Sequence, residues 1–163
     1  TNNSIYNISL QSIDDKVINL TDYKGRYMLF VNVASYCGYT HQYKELQILH
    51  DKFKNLIIIG LPCNQFLFQE PFSEKSIKKF CQTKYNISFL MTKKIYVKGR
   101  GQHKIYKWLT NKDLNKKMNS TVKWNFQKYL IGKEGELINF FPSKTSPLSK
   151  DITQHITSPL LTN

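Results

Sequence analysis

The sequence is poor in arginine, and this shortage argues against a nucleic-acid-binding protein. Of 24 basic residues, only Arg26 and Arg100 are arginine, and the lysines occur at most in pairs. Phosphate and base recognition favours the planar arginine fork, so the formal charge of +13 fits a solvated lysine coat better. We expect no nucleic-acid partner, and at most a weak attraction to acidic partners or anionic membrane surfaces.

Long apolar runs are also absent, and cysteines are few. No run approaches the ~18 residues of a membrane span, and the first residues, TNNSIYN, lack the features of a signal peptide. Three cysteines at spacings of 26 and 18 residues do not indicate a secreted disulfide framework but fit a reducing compartment. We expect a cytoplasmic location. An organellar location stays open, because the sequence does not begin with Met and a targeting segment would have preceded it.

Close pairs of metal-binding residues are missing as well. Zinc sites are typically built from spacings such as CxxC or HxxxH, and neither occurs among the three cysteines and four histidines. We therefore expect no metal ion, and the sequence calls for no cofactor.

What the sequence does have is the pattern of an α/β protein. Apolar residues on both sides of Asp14-Asp15 predict a short N-terminal hairpin. Residues 27–34 and 56–61 are near-continuous apolar runs, typical of strands covered on both faces. Between them, residues 41–54 carry apolar side chains at helical spacing.

The second half of the chain continues this alternation. Its predicted elements are a helix from the N-cap Ser73 to about residue 83, a short strand over 95–97, a helix over 103–109, a polar loop over 111–121, strands over 125–131 and 136–141 around a glycine-containing turn, and a last helix over 148–156.

This order of elements predicts a thioredoxin-like fold, with a central mixed sheet and helices on both faces. The length, the 40% apolar content and the lack of repeats or linkers predict a single domain over residues 1–163. The two buried strands would end at Cys37 and at Cys63-Asn64-Gln65, and open α/β sheets gather their chemistry at this edge.

Cys37 lies in VNVASYCGYT, between the first buried strand and the first predicted helix. It could be a small buried hydrophobe, a metal ligand or a nucleophile. A helix N-terminus would stabilise its thiolate and lower its pKa, and Gly38 would let a reactant approach. Composition alone favours a structural cysteine, whereas the location at the functional edge favours the nucleophile.

Three motifs, NVASYCGYT, LPCNQFLFQEP and KWNF, occur in this order and together resemble the glutathione peroxidase family. The resemblance extends over nearly the whole chain, and Cys37 takes the family's selenocysteine position. It implies a catalytic tetrad of Cys37, Gln65, Trp124 and Asn125, with Cys37 as the peroxidatic nucleophile. Amide and indole N–H groups would stabilise its thiolate and the charge on the departing oxygen. Taken singly, the other three are ordinary core or turn residues.

The resemblance implies a thiol peroxidase that reduces hydrogen peroxide and organic or lipid hydroperoxides in response to oxidative stress. Attack by Cys37 would leave a sulfenic acid, which needs a second thiol. Cys81 matches the resolving cysteine of thioredoxin-linked members, although periodicity also places it on the apolar face of a helix. That helix must loosen before the Cα atoms come within the ~7 Å that a disulfide needs. Cys63 is assigned no step.

The same resemblance implies thioredoxin or a similar dithiol protein as the reductant. Glutathione is the weaker candidate, because two arginines cannot form the arginine-rich clamp of the selenoenzymes. Residues 111–121 are short where tetrameric relatives carry an insertion, which predicts a monomer with an open active-site face. Leu67 departs from the family's usual glycine. The alternative function is a thiol-based peroxide sensor that passes its oxidation to a partner protein.

Overall fold

The computed structural model describes residues 3–156. Its strands are β1 (Ser9–Gln11), β2 (Val17–Asn19), β3 (Tyr27–Val33), β4 (Leu56–Pro62), β5 (Leu90–Met91), β6 (Lys128–Ile131) and β7 (Leu137–Phe141). Its helices are α1 (Gln42–Lys52), α2 (Glu74–Tyr85), α3 (Lys104–Thr110), α4 (Lys112–Asn115) and α5 (Lys150–Thr153). Short 3₁₀ turns cover Ile5–Asn7 and Leu20–Tyr23.

The central sheet is mixed, as predicted, and has the strand order β5-β4-β3-β6-β7. Strands β3, β4 and β5 pair in parallel, whereas β6 runs antiparallel to β3 and to β7. The predicted N-terminal hairpin is confirmed as the antiparallel pair β1 and β2.

Two apolar cores cover the two faces of this sheet, because successive side chains of a strand point to opposite faces. Met28 and Phe30 of β3 belong to a core that also contains the apolar side of α3 and the N-terminal hairpin. Leu29 and Val31 belong to the other core, which takes the apolar sides of α1 and α2. All of β3 is buried, which explains its unbroken apolar run.

Four predicted elements differ in the structure. The strand expected at 125–131 begins only at Lys128, so residues 125–127 precede it. The strand expected at 95–97 is replaced by β5, and the later segment joins the sheet edge only through single bonds such as Ile95 N–H to Pro62 O (3.0 Å). The loop expected at 111–121 contains α4, which begins at the side-chain cap of Asn111. The last helix is confined to α5, which the Ser149 hydroxyl caps.

The register of the sheet brings the candidate residues to one edge. Val33, the last residue of β3, lies opposite Pro62 at the end of β4. Val31 lies opposite Lys128, the first residue of the antiparallel strand β6. The segments that follow β3 and β4 therefore meet the segment that precedes β6, which carries Trp124 and Asn125.

Candidate active site

Cys37 lies in a tight bend between β3 and α1 and is partly buried. Its backbone N–H donates to Thr40 Oγ1 (2.8 Å), and the Thr40 hydroxyl donates to the carbonyl of Ala34 (2.9 Å). The sulfur accepts a hydrogen bond from the backbone N–H of Tyr39 (3.4 Å). The bend therefore presents a thiol that is reachable from solvent and already receives one backbone donor.

The expected location of Cys37 at a helix N-terminus is wrong. Helix α1 begins at Gln42 with His41 as its N-cap, so the intervening turn separates the thiol from the first helical N–H groups. The effect of a helix dipole falls off within the first turn. The backbone N–H of Tyr39 is the donor that the structure provides instead.

Gln65 follows β4 and is held by the backbone of residues 97 and 98. Its Oε1 accepts the N–H groups of Val97 (2.7 Å) and Lys98 (3.3 Å), and its Nε2 donates to the carbonyl of Lys98 (2.9 Å). The Cys63 thiol donates to the same Oε1 at 3.5 Å. The amide is thus fixed in direction by these bonds, and Nε2 keeps a second hydrogen for another acceptor.

Trp124 and Asn125 are positioned by Asn32, a buried residue of β3 that sequence reasoning missed. The Asn32 side chain donates to the carbonyl of Trp124 (3.0 Å), and its backbone carbonyl accepts the N–H of Phe126 (2.6 Å). The signal in the sequence was a lone asparagine inside the apolar run YMLFVNVA. A buried polar side chain needs partners, and Asn32 finds them in this segment.

Neighbouring residues connect the segments that carry Gln65, Trp124 and Asn125. The Trp124 ring lies 5.6 Å from the ring of Phe66, the neighbour of Gln65. Asn125 is fully buried and donates through Nδ2 to Gln69 Oε1 (2.9 Å). Within residues 3–156, no hydrogen bond joins Gln65, Trp124 or Asn125 to the Cys37 sulfur, and such bonds often form only once substrate is bound.

Cys81 is buried on α2, on the apolar face that periodicity predicted. It belongs to the core against which Cys37 also packs, so both thiols lie on the same side of the sheet. Burial raises the pKa of the Cys81 thiol to about 11; the Tyr43 hydroxyl beside it lowers that pKa in part, and the Glu70 carboxylate raises it further. All three cysteines are free.

Glu70 is a second residue that sequence reasoning missed, although it stands in the LPCNQFLFQEP motif. It is fully buried, and the hydroxyl and backbone N–H of Ser35 lie close enough to act on its carboxylate but fall short of hydrogen-bond geometry. Burial raises its pKa to about 7, which the neighbouring Ser35 and the Lys94 ammonium offset only in part. Such a carboxyl beside the Cys37 bend changes its charge near neutral pH.

The rim of the site is unusually apolar for a solvent-exposed surface. Leu67 and Phe68 have left-handed φ values of 55° and 54°, and their side chains are 74% and 77% exposed. Tyr36 beside Cys37 and Tyr96 across the groove are also exposed. An open groove of about 620 Å³ runs between Gln65, Phe68 and Tyr96. The positive φ at Leu67 is a backbone conformation that glycine adopts most readily.

Residues 3–156 contain no group of three or more His, Cys, Asp or Glu side chains placed to hold a metal ion. In the same range, no helix has both the length and the apolar character that crossing a bilayer requires.

The glutathione peroxidase family model matches residues 5–110. The chain belongs to the glutathione peroxidase family. Glutathione peroxidase homolog BsaA of Bacillus subtilis is 37% identical over 155 residues, covering 93% of this chain and 97% of that protein. Glutathione peroxidase-like peroxiredoxin 2 of Saccharomyces cerevisiae is 39% identical over 150 residues, covering 91% and 93%. Hydroperoxy fatty acid reductase gpx1 of Synechocystis is 36% identical over 153 residues, covering 90% of each.

Solved structures agree with this assignment. The crystal structure of Trgpx in its apo form matches with a TM-score of 0.73 and 32% identity, covering 96% of this chain and 97% of that one. A thioredoxin-like protein from Aeropyrum pernix matches at a TM-score of 0.64 over 95% of this chain and 91% of that one, with 14% identity, which concerns the fold alone.

The family and the fold confirm the predicted thioredoxin-like architecture and the predicted activity. The chain is a thiol peroxidase that reduces hydroperoxides, and it belongs to an antioxidant enzyme family. Its reducing equivalents come from a thiol protein.

Proposed function

We propose that Cys37 is the peroxidatic cysteine and that Gln65, Trp124 and Asn125 complete the catalytic site. The observation that carries the proposal is the partly exposed Cys37 thiol at the end of β3, whose sulfur already accepts a backbone N–H. Its thiolate attacks one oxygen of the hydroperoxide, the O–O bond breaks, and the other oxygen leaves as an alcohol or water after taking a proton. The side-chain N–H groups of the other three residues stabilise the charge that develops.

Cys81 closes the cycle in this proposal. Its thiolate attacks the sulfur of the Cys37 sulfenic acid, the Cys37–Cys81 disulfide forms, and the hydroxyl leaves as water with the thiol's proton. A reduced dithiol protein then returns both cysteines to thiols by exchange and takes up the disulfide itself. Cys37 and Cys81 border the same core, which supports this pairing.

We assign thioredoxin as that dithiol protein. Glutathione is a small anion, and Arg26 and Arg100 are the chain's only arginines. The yeast relative is named a peroxiredoxin, which fits a protein reductant. The monomeric state, the single domain and the cytoplasmic location stay predictions.

We also propose long-chain organic hydroperoxides as preferred substrates, with weak contact to an anionic membrane surface. The exposed side chains of Leu67, Phe68 and Tyr96 beside Gln65 offer an apolar rim, and Lys94 and Lys98 lie next to it. The Synechocystis relative is named a hydroperoxy fatty acid reductase. Co-sedimentation with anionic and with neutral vesicles tests the membrane contact, and loss of charge dependence would contradict it.

A coupled assay tests the cycle. The enzyme, hydrogen peroxide or a fatty-acid hydroperoxide, and either thioredoxin with its reductase or glutathione with its reductase are mixed, and NADPH consumption is followed. Turnover is expected with thioredoxin, at least about tenfold faster than with glutathione, and Cys37→Ser is expected to abolish it. Faster turnover with glutathione would overturn the assignment of thioredoxin as the reductant. Oxidation without turnover by either system would favour the peroxide sensor.

A further inference from the structure

We propose that Gln69, which is outside the predicted tetrad, is a positioning residue that couples the Cys37 bend to the side chain of Asn125. The inference rests on the roles of Cys37 and Asn125 proposed above. Gln69 accepts a hydrogen bond on each of its two oxygens. Its backbone carbonyl accepts the N–H of Tyr36 (3.0 Å), and its Oε1 accepts Nδ2 of Asn125 (2.9 Å).

The bond to Gln69 fixes which way the Asn125 amide faces. Asn32 holds the backbone on both sides of Asn125, but the side chain still has its own torsions. Asn125 is fully buried, and its Oδ1 has no hydrogen-bond partner among residues 3–156. With Gln69 Oε1 as the acceptor, the Asn125 amide has the orientation in which Nδ2 points toward Gln69. Nδ2 then keeps one hydrogen for a thiolate or a departing oxygen.

The opposite orientation of the Asn125 amide would slow the attack of Cys37 on peroxide. While Gln69 Oε1 keeps its position, a reversed Asn125 amide would place Oδ1 against it, and two oxygen acceptors would face each other. The side of Asn125 that faces the reacting atoms would also change from a donor to an acceptor. A donor stabilises a thiolate, whereas an acceptor does not.

The second hydrogen bond of Gln69, at its backbone carbonyl, fixes the position of the bend that contains Cys37. The bonds of Cys37 and Thr40 are local to residues 34–40, so they set the shape of the bend but not its place on the molecule. The Tyr36 N–H bond to Gln69 ties the residue just before Cys37 to a different loop. Gln69 is thus hydrogen-bonded both to the bend that contains Cys37 and to the side-chain amide of Asn125, so a displacement of one is transmitted to the other.

We expect this coupling to act in the attack of Cys37 on peroxide. Effective catalysis needs the thiolate and its donor in a fixed relation, and a 1 Å displacement can reduce the rate about 100-fold. Within residues 3–156, Cys81 makes no hydrogen bond to Gln69, and it enters the cycle only afterwards. Loss of the Gln69 side-chain acceptor should therefore slow sulfenic acid formation.

The test is the rate of Cys37 oxidation in a single turnover without any reductant, followed by mass spectrometry. Gln69→Met keeps the size of the side chain and the backbone carbonyl but removes Oε1. The second-order rate constant with hydrogen peroxide is expected to fall roughly 10-fold to 100-fold, and the midpoint of its pH profile to rise. Gln69→Glu keeps an acceptor at the same place and is expected to recover the limiting rate at high pH.

A double-mutant cycle separates this role from a merely structural one. If Gln69 acts through Asn125, adding Gln69→Met to Asn125→Ala should lower the rate by no more than about twofold beyond Asn125→Ala alone. Effects that multiply would overturn the coupling. Should Gln69→Met fail to fold, Gln69→Asn serves in its place, because its amide is one methylene too short to reach Asn125.

The matched control is Gln47→Met on α1, which removes hydrogen bonds to Asp51 and Ser88 away from the bend. It is expected to leave the rate within about twofold of wild type. A wild-type Cys37 that peroxide does not oxidise would refute the proposed function. A normal wild type beside an equally fast Gln69→Met variant would instead refute the coupling alone.

Discussion

The surroundings of Cys37 and Cys81 differ in almost every physical respect. Cys37 lies in a bend, is partly exposed, and has a backbone N–H donor at its sulfur. Cys81 lies inside α2, is 2% exposed, and has a thiol whose pKa burial raises to about 11. A small reactant can reach Cys37 from solvent, whereas burial inside the fold shields Cys81 from reactants in solvent.

The difference indicates that the two halves of the cycle are controlled separately. Attack on peroxide needs little motion, because Cys37 is reachable where it stands. Disulfide formation needs both a rearrangement of α2 and deprotonation of a buried thiol. The carbonyl of Cys81 accepts the N–H groups of Asn86 and Ile87 that terminate the helix, so exposing this cysteine means opening the last turn of α2.

Removing the buried thiol should separate the two halves most completely. Cys81→Ser is expected to lower thioredoxin-dependent turnover at least about 100-fold, because the sulfenic acid has no partner thiol. The single-turnover rate of Cys37 oxidation should stay within about twofold of wild type, because the hydrogen bonds around Cys37 do not involve α2. Coupled NADPH consumption and mass spectrometry measure the two quantities.

Cys63→Ser is the companion variant for this experiment. Serine keeps a hydroxyl next to Gln65 Oε1, which the Cys63 thiol contacts at 3.5 Å, so turnover should continue. Peptide mapping of the oxidised wild type should find a Cys37–Cys81 disulfide. A Cys37–Cys63 disulfide instead, with normal turnover in Cys81→Ser, would reverse the assignment of the resolving thiol.

Glu70 offers a way to change Cys81 without touching it. Above about pH 7 the Glu70 carboxylate is charged, and its negative charge raises the pKa of the Cys81 thiol. Below that pH the carboxyl group is already neutral and has no such effect. Glu70→Gln should therefore speed disulfide formation about fivefold at pH 8 and leave it nearly unchanged at pH 6. Rapid quenching with an alkylating agent after one pulse of peroxide measures the rate. An equal acceleration at both pH values would rule out a charge effect.

The same substitution has an expected effect on stability. Because burial raises the pKa of Glu70 above its ordinary value, its contribution to stability is fully present below about pH 4.5 and is lost as the pH rises through about 7. Between pH 5 and pH 8, the free energy of unfolding of Glu70→Gln should rise by up to roughly 3 kcal/mol relative to that of wild type. Urea denaturation at both pH values measures the free energy of unfolding.

Sequence patterns predicted the sheet and its functional edge well, because β3 and β4 are buried on both faces and their apolar runs show it. They failed at 95–97, where single hydrogen bonds to the sheet edge replace a regular ladder. Asn32, Gln69 and Glu70 were missed for a related reason. Their importance comes from contacts with distant segments, and no local periodicity reports such contacts.

The last turn of α2 allows a test of whether opening this helix controls the approach of Cys81 to Cys37. Asn86 ends α2 with a left-handed φ of 52°, which asparagine tolerates better than alanine does. Asn86→Ala should lower the free energy of unfolding by about 1 kcal/mol and, by weakening that turn, speed disulfide formation about threefold. Asn111→Ala, which removes the side-chain cap of α4, should destabilise the protein by a similar ~1 kcal/mol without changing that rate. If the two variants form the disulfide equally fast, general loosening of the fold rather than the end of α2 controls the approach of Cys81 to Cys37.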